Sequence, residues 1–212
     1  MKVPEISIND YLFGSLNGIV STFLTIMLLP LFERLFKITT NITLLELSDM
    51  NRPLLRELAV KAPGTFHHSL VLGSLSEAAA KAIGANPLLA RVSAYYHDIG
   101  KMKKPHYFIE NQSGIKNPHD GLTPEMSSLV VFSHIKEGVE MARDAGLPQR
   151  IIDVIREHQG TSLMRYFYEK AKMRNMGKGI EESHFRYPGP KPSSSESAII
   201  MLADTLEATC RS

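Results

Sequence analysis

The chain has 212 residues, 43% of them hydrophobic and 22% charged, with a net charge of +2. That balance is ordinary for a globular protein, and so small a charge argues against a surface built for a nucleic-acid polymer. The single cysteine, Cys210, excludes an internal disulfide and fits a reducing compartment. A metal site in this chain must therefore use His and carboxylate ligands.

The first element is apolar. Tyr11 to Phe32 contains no charged residue, and about 22 residues span roughly 33 Å as a helix, enough for a hydrocarbon core of ~30 Å. Ser15, Asn17, Ser21 and Thr25 interrupt the run, and Gly14 and Gly18 form a GxxxG spacing that permits close helix contact in a membrane. A buried core helix is the alternative reading. Lys2 alone precedes the run as a cation, whereas Arg34, Lys37, Arg52, Arg56 and Lys61 follow it. The positive-inside rule then places everything after Glu33 in the cytoplasm.

The remainder reads as helices divided by turns. Residues 1–10 form an N-terminal flank, 11–36 the membrane helix, 37–62 a helical connector and 63–212 the main domain. Asn51-Arg52-Pro53 offers a helix start in the connector. Ala62-Pro63-Gly64 is a break, with Thr65 as a cap for the next helix. Asn86-Pro87 opens a helix that carries His97-Asp98 at its end, with Gly100 as the stop. Pro124 opens another through Ala145, Pro148 another through His158, and Leu163 to Arg174 is a further helical run. Ser193 or Ser194 caps a last helix from Glu196 to Arg211. Two long polar segments, 101–124 and 175–195, read as loops. Strand patterning is almost absent, so the expected fold class is all-α. The C-terminal end lacks a helix stop signal, and the chain is expected to be a fragment of something longer.

Polar residues on apolar helix faces carry the chemistry. His68 precedes Val71, Leu72 and Leu75 at helical spacing. His134 follows Val130 and Val131, His158 follows Ile151, Val154 and Ile155, and Asp204 follows Ile200 and Met201. An unpaired polar group on such a stripe is costly. One would be an ordinary hydrogen-bonded core residue. Four on four helices, with His97-Asp98 on a fifth, point to one buried metal centre. Lys101 follows at once and suits a phosphate as a point charge; a solvated surface lysine or a helix cap is the alternative. His67, His106, His119 and His184 are not expected as ligands. His119-Asp120 repeats the dipeptide after Pro118 and reads as a loop brace or substrate-side contact.

The order His, His-Asp, His, His, Asp resembles the HD phosphohydrolase superfamily. "ITTNITLLELSDMNRPLLRELAVKAPGTFHHSL", "YYHDIGKMKKPHYFIENQ", "NPHD", "SHIKEGVEMA", "REHQGTSLMRYFY" and "FRYPGPKP…AIIMLADTLEATCRS" are similar to the 7TM-HD (PgpH-like) cyclic-di-AMP phosphodiesterases. The resemblance implies an HD-domain helical bundle over 63–212, truncated at its C-terminus. It makes residues 11–36 the last helix of a multi-span bundle in the cell membrane. It implies two divalent ions, Fe or Mn with Zn as a further option, on His68, His97, Asp98, His134, His158 and Asp204. Asp98 would bridge them and fix a hydroxide, Lys101 would offset phosphoryl charge, and one linkage of cyclic di-AMP would open to pApA. Lys101, Tyr107, Asn111 and Lys191 are the candidate substrate contacts. The family often has His-His where this chain has His158-Gln159, so Gln159 offers a neutral oxygen, binds through water, or leaves the second metal position a ligand short. The implied partners are a cyclic dinucleotide, membrane lipid, other transmembrane helices and, as one option, a second copy.

Three rivals share some of these features. A cyclic-di-GMP enzyme of the HD-GYP type has the same multi-His centre, but no Gly-Tyr-Pro follows His-Asp here. A mononuclear nucleotide phosphohydrolase would need only His68, His97, Asp98 and Asp204. A non-catalytic nucleotide-binding membrane receptor would carry degenerate ligands, and only Gln159 points that way.

Overall fold

The computed structural model describes residues 7–36, 38–112, 114, 116–174 and 179–211, with backbone alone for Arg34 and Arg211. Lys2, Lys37 and residues 175–178 of the second long segment lie outside the described residues. The chain divides into two compact units, 1–40 and 41–212. The first holds α1 (Ile8–Phe36). Its span Ile8–Glu33 has a mean hydropathy of 1.8 and is long and apolar enough to cross a membrane. Its two threonine hydroxyls are satisfied within the helix: Thr22 Oγ1 donates to Gly18 O at 2.8 Å and Thr25 Oγ1 to Ser21 O at 2.8 Å. Such back-bonding lets polar side chains sit in an apolar environment without an outside partner.

The second unit is built from α2 (Asn41–Leu47), α3 (Pro53–Lys61), α4 (Pro63–Ile83), α5 (Pro87–Tyr96), α6 (Pro124–Asp144), α7 (Gln149–Glu157), α8 (Arg165–Arg174) and α9 (Ser195–Arg211). The described residues contain no strand, only one isolated β-bridge between Leu163 and Arg186. Local chemistry sets several starts. Asn86 accepts from Leu89 N, Thr123 from Met126 N and Ser194 from Ser197 N, each satisfying a donor the helix cannot. The main core joins Leu44, Leu55, Leu58, Tyr96, Ile99, Ile151 and Ile155. Tyr96 donates to Leu47 O at 2.8 Å, which pins α2 to the end of α5, and burial pushes its phenol up to about 12.

Helices α4 and α5 run antiparallel, with Glu77 paired to Arg91 at 3.1 Å. The buried face of α4 is Thr65, His68, Ser69, Leu72, Gly73, Ser76 and Ala80. Val71 and Leu75, expected to face the core, are 38% and 41% exposed. Small side chains let neighbouring helices come close, so the buried face is displaced from the apolar stripe. Thr65 is not a cap: α4 starts at Pro63, and Thr65 is buried inside it, bonded to Glu110 and Asn111.

Gly100 does not stop α5 either. The helix ends at Tyr96, and Gly100 lies within a 3-10 turn, Ile99–Lys103. Its function is close approach. A Cβ there would stand 1.9 Å from His134 O and 2.5 Å from Gly138 N, so only glycine lets this turn press against α6. Gly64 does the same under the 101–124 segment, where a Cβ would meet Glu110 O at 1.9 Å. Among its described residues that segment carries 3-10 turns at Ile99–Lys103, Pro105–Tyr107, Ile109–Asn111 and Pro118–Gly121, where sequence patterning reads only loop. His119 braces it, its Nε2 donating to Tyr107 O at 2.9 Å. Overpacking of this kind typically costs about 1–3 kcal/mol. Gly100→Ala should therefore lower the thermal midpoint by several degrees in calorimetry, and an unchanged midpoint would contradict the close-approach role.

Candidate metal centre

Five helices deliver one polar group each, or two, to the same place. His68 comes from the first turns of α4, His97 and Asp98 from the end of α5, His134 from the middle of α6, His158 from the end of α7, and Asp204 from α9. The four imidazoles and Asp98 are each no more than 2% exposed, and the Asp204 side chain is 15% exposed.

Asp98 is the hub. Its Oδ2 lies 3.1 Å from His97 Nε2 and 4.0 Å from His68 Nε2. Its Oδ1 lies 3.4 Å from His134 Nε2 and 3.6 Å from His158 Nε2. The two oxygens thus sort the histidines into two pairs. Asp204 Oδ1 adds to the first, 3.0 Å from His68 Nε2.

The imidazoles are oriented from behind. His97 Nδ1 stands 2.6 Å from Ala94 O, His134 Nδ1 2.5 Å from Val131 O, and His158 Nδ1 2.8 Å from Ile155 O. A carbonyl can only accept, so each Nδ1 carries a hydrogen and each Nε2 can present its lone pair to the centre. His68 differs: its Nδ1 meets Glu207 Oε2 at 2.7 Å.

This arrangement fits metal ions. Nε2 of His134 and of His158 are 3.3 Å apart, and two lone pairs at that distance call for a cation between them. Nε2 of His97 and both oxygens of Asp98 are buried without a hydrogen bond of ordinary geometry. The ligand atoms of His68, His97 and Asp98, of His97, His158 and Asp204, and of Asp98, His134 and His158 each lie within 4.8 Å of one another.

Lys101 is the local cation. Its Nζ is 2.6 Å from Asp98 Oδ2 and 2.8 Å from Glu110 Oε1, and its side chain is 14% exposed, so it is not a solvated surface lysine. It also lies 5.0 Å above the Phe108 ring. Burial by itself would raise the Asp98 carboxyl, but the charges of His97 and Lys101 hold it well below the carboxylate range. Burial would lower the Lys101 ammonium, but Asp98 and Glu110 outweigh that and raise it. Burial, with the His158 and Lys101 charges, outweighs the opposing charge of Asp98 and lowers His134 to about 4, which favours the neutral form a ligand needs.

A cleft of about 430 Å³ opens beside the centre, lined by His68, Lys101, Ile109, Glu110, Gln159, Asp204, Thr205 and Ala208. Tyr107, Asn111 and Lys191 are not among its described lining residues. The Asn111 amide is engaged on Thr65 at both of its ends, and Tyr107 packs against His119. Gln159 reaches the site with its amide nitrogen, donating to Asp204 Oδ2 at 2.8 Å, because a carboxylate can only accept. Sequence reading missed Glu110 and Glu207. Glu207 had a signal, standing three residues after Asp204 on one helix face. Glu110 had none, since no periodicity runs through its segment.

Residues 65–209 match the HD domain family. Over 201 residues the chain is 52% identical to "Cyclic-di-AMP phosphodiesterase PgpH" of Bacillus subtilis (strain 168), covering 95% of this chain and 28% of that protein. Over 200 residues it is 47% identical to the protein of the same name from Listeria monocytogenes serotype 1/2a (strain 10403S), covering 94% of this chain and 28% of that one. The chain therefore spans under a third of the length of these relatives. The crystal structure of the L. monocytogenes phosphodiesterase PgpH HD domain in complex with cyclic-di-AMP is 50% identical, with a TM-score of 0.74, covering 78% of this chain and 76% of that chain. The chain belongs to the HD-domain family and, within it, to the PgpH-like branch.

Removing one partner of a buried ion pair typically costs about 3–5 kcal/mol, because the other charge is left uncompensated. Lys101→Met should therefore lower the thermal midpoint of chelator-treated protein by several degrees. Added Mn²⁺ should restore most of the loss by supplying Asp98 with another positive charge. An equal loss with and without Mn²⁺ would mean that Lys101 only fills space.

Proposed function

We propose that this chain is the catalytic part of a metal-dependent phosphodiesterase that hydrolyses cyclic di-AMP to linear pApA. One observation carries the reading: a buried carboxylate whose two oxygens each face a different pair of imidazoles, beside a cleft edged by a charged lysine. The cyclic-di-AMP named for the 50%-identical L. monocytogenes domain supports the choice of substrate.

The residues that would hold two ions fall into two sets that share Asp98. His68, His97 and Asp204 form one with it, His134 and His158 the other. Their His and carboxylate chemistry suits Fe or Mn. When bound, the ions supply Lewis acidity toward water and toward the phosphoryl oxygens. The protein's own contribution is order. Asp98 is held ionised between the two sets, so it can serve both at once. Backbone carbonyls engage Nδ1 of three imidazoles and so turn each Nε2 toward the centre. Lys101, held between Asp98 and Glu110 at the cleft, offsets negative charge as water attacks phosphorus and the 3′ oxygen departs. Ile109 and Ala208 give the cleft apolar wall, which suits the hydrophobic share usual in small-molecule sites.

Helix α1 fits a place in the cell membrane, as one span of a multi-pass protein in contact with lipid and neighbouring helices. The basic residues after it fit a cytoplasmic catalytic domain. The proposed divisions are 1–10, 11–36, 37–62 and 63–212. Tyr107, Asn111 and Lys191 remain proposed outer contacts for the dinucleotide, and a homodimer remains a proposed assembly.

The test is turnover by the purified chain loaded with Mn²⁺ or Fe²⁺, with cyclic di-AMP and cyclic di-GMP offered side by side and products separated by chromatography. pApA should form, and Asp98→Ala should abolish it. Lys101→Ala should keep its metal and lower kcat by about 10²–10³ with KM nearly unchanged, as expected for a stabiliser acting in the transition state. Faster hydrolysis of cyclic di-GMP would transfer the reading to the guanine dinucleotide. Binding of cyclic di-AMP without turnover in metal-loaded protein would favour a receptor.

A further inference from the structure

Three of the four imidazoles at the centre are held by carbonyls of their own helices, at Ala94, Val131 and Ile155. Those acceptors are backbone and exist whatever the sequence. His68 alone depends on a side chain from another element. Its Nδ1 lies 2.7 Å from Glu207 Oε2, across 139 positions of sequence. Glu207 stands on α9 three residues after Asp204, so both carboxylates lie on the face of that helix turned to α4. Asp204 Oδ1 takes the Nε2 side of the ring at 3.0 Å, and Glu207 takes the Nδ1 side. The His68 side chain is 2% exposed and that of Glu207 13%, so little water competes for this contact.

The geometry assigns Glu207 as a positioning residue for one half of the metal centre. By accepting the Nδ1 hydrogen it fixes the tautomer and ring plane of His68, and so sets the affinity of the ion on the His68–Asp204 side. It touches no ion itself. A carboxylate behind a ligating imidazole also makes the ring a stronger donor, and loss of such a partner typically costs about 10–100-fold in metal affinity. The His134–His158 side owes nothing to it. Both halves share Asp98 at the end of α5, but one depends also on α9 being docked on α4, whereas the other takes its histidines from α6 and α7. Loading the first half should in turn tighten α9 onto α4, because an ion bound only by the docked arrangement stabilises it. This inference rests on the metal-centre reading above.

The test uses the full chain in detergent and Mn²⁺ alone, with stepwise affinities from chelator competition and free Mn²⁺ counted by electron paramagnetic resonance. Glu207→Ala should weaken one of two Mn²⁺ ions by about 10–100-fold and leave the other within about threefold. Glu207→Gln, which keeps the volume and a neutral acceptor, should show a smaller loss at the same ion. The thermal midpoint of its metal-free form should match wild type. Should Glu207→Ala not fold, Glu207→Gln carries the test. Equal weakening of both ions, unchanged affinities in Glu207→Gln, or a lowered metal-free midpoint with normal affinities would each overturn the assignment. A wild-type chain that binds no Mn²⁺ would overturn the metal-centre reading itself, which is a different result.

Discussion

The interaction on which the rest depends is the burial of the Asp98 carboxylate. At 1% exposure it has lost its water, and an ionised carboxylate without compensation carries a penalty of several kcal/mol. The surrounding structure supplies the compensation. Lys101 follows three residues later and turns its ammonium back. The 3-10 turn that carries Lys101 sits where it does because Gly100 lets it press on the backbone of α6. Glu110 then balances the lysine from the other side, and Gly64 lets that segment lie directly on α4. A chain of close backbone approaches thus ends in one charge pair.

The histidines answer the same charge in another manner. Each turns a nitrogen toward Asp98, and each has its other nitrogen occupied. That double constraint leaves little rotational freedom, so the ligand atoms are ordered before any ion arrives. Preorganised groups of this kind act without reorganisation when charge develops. The same helix ends and turns that close the core of Tyr96, Ile99, Ile151 and Ile155 also set these rings in place, so the centre and the core are not separable. A disturbance in the packing of α5 or α7 is a disturbance of His97 or His158.

Sequence reading went furthest where the signal was local. Pro87, Pro124, Asn86 and Ser194 mark helix starts by their own chemistry, and helical spacing marked His68, His134, His158 and Asp204 as polar exceptions on apolar faces. Residue-level geometry was less legible. Thr65 looks like a cap and Gly100 like a stop, because both types usually play those parts. Their actual parts are set by what packs against them, Glu110 and Asn111 in one case and α6 in the other. The buried face of α4 was misplaced for a related reason: a tight helix contact selects Ser, Gly and Ala, which a hydrophobic pattern does not register.

The sequence by itself determined an all-α chain, an apolar span at its start, and a set of imidazoles and carboxylates spaced to lie on inner helix faces. Those properties follow from the 3.6-residue period and from the turn chemistry of single residues. Only the tertiary structure decided that the two oxygens of Asp98 divide the histidines into pairs, that Lys101 is pinned between Asp98 and Glu110, that Gln159 donates to Asp204, and that Glu207 stands behind His68. Each depends on the distance and rotation between helices far apart in the chain, and no local pattern records those.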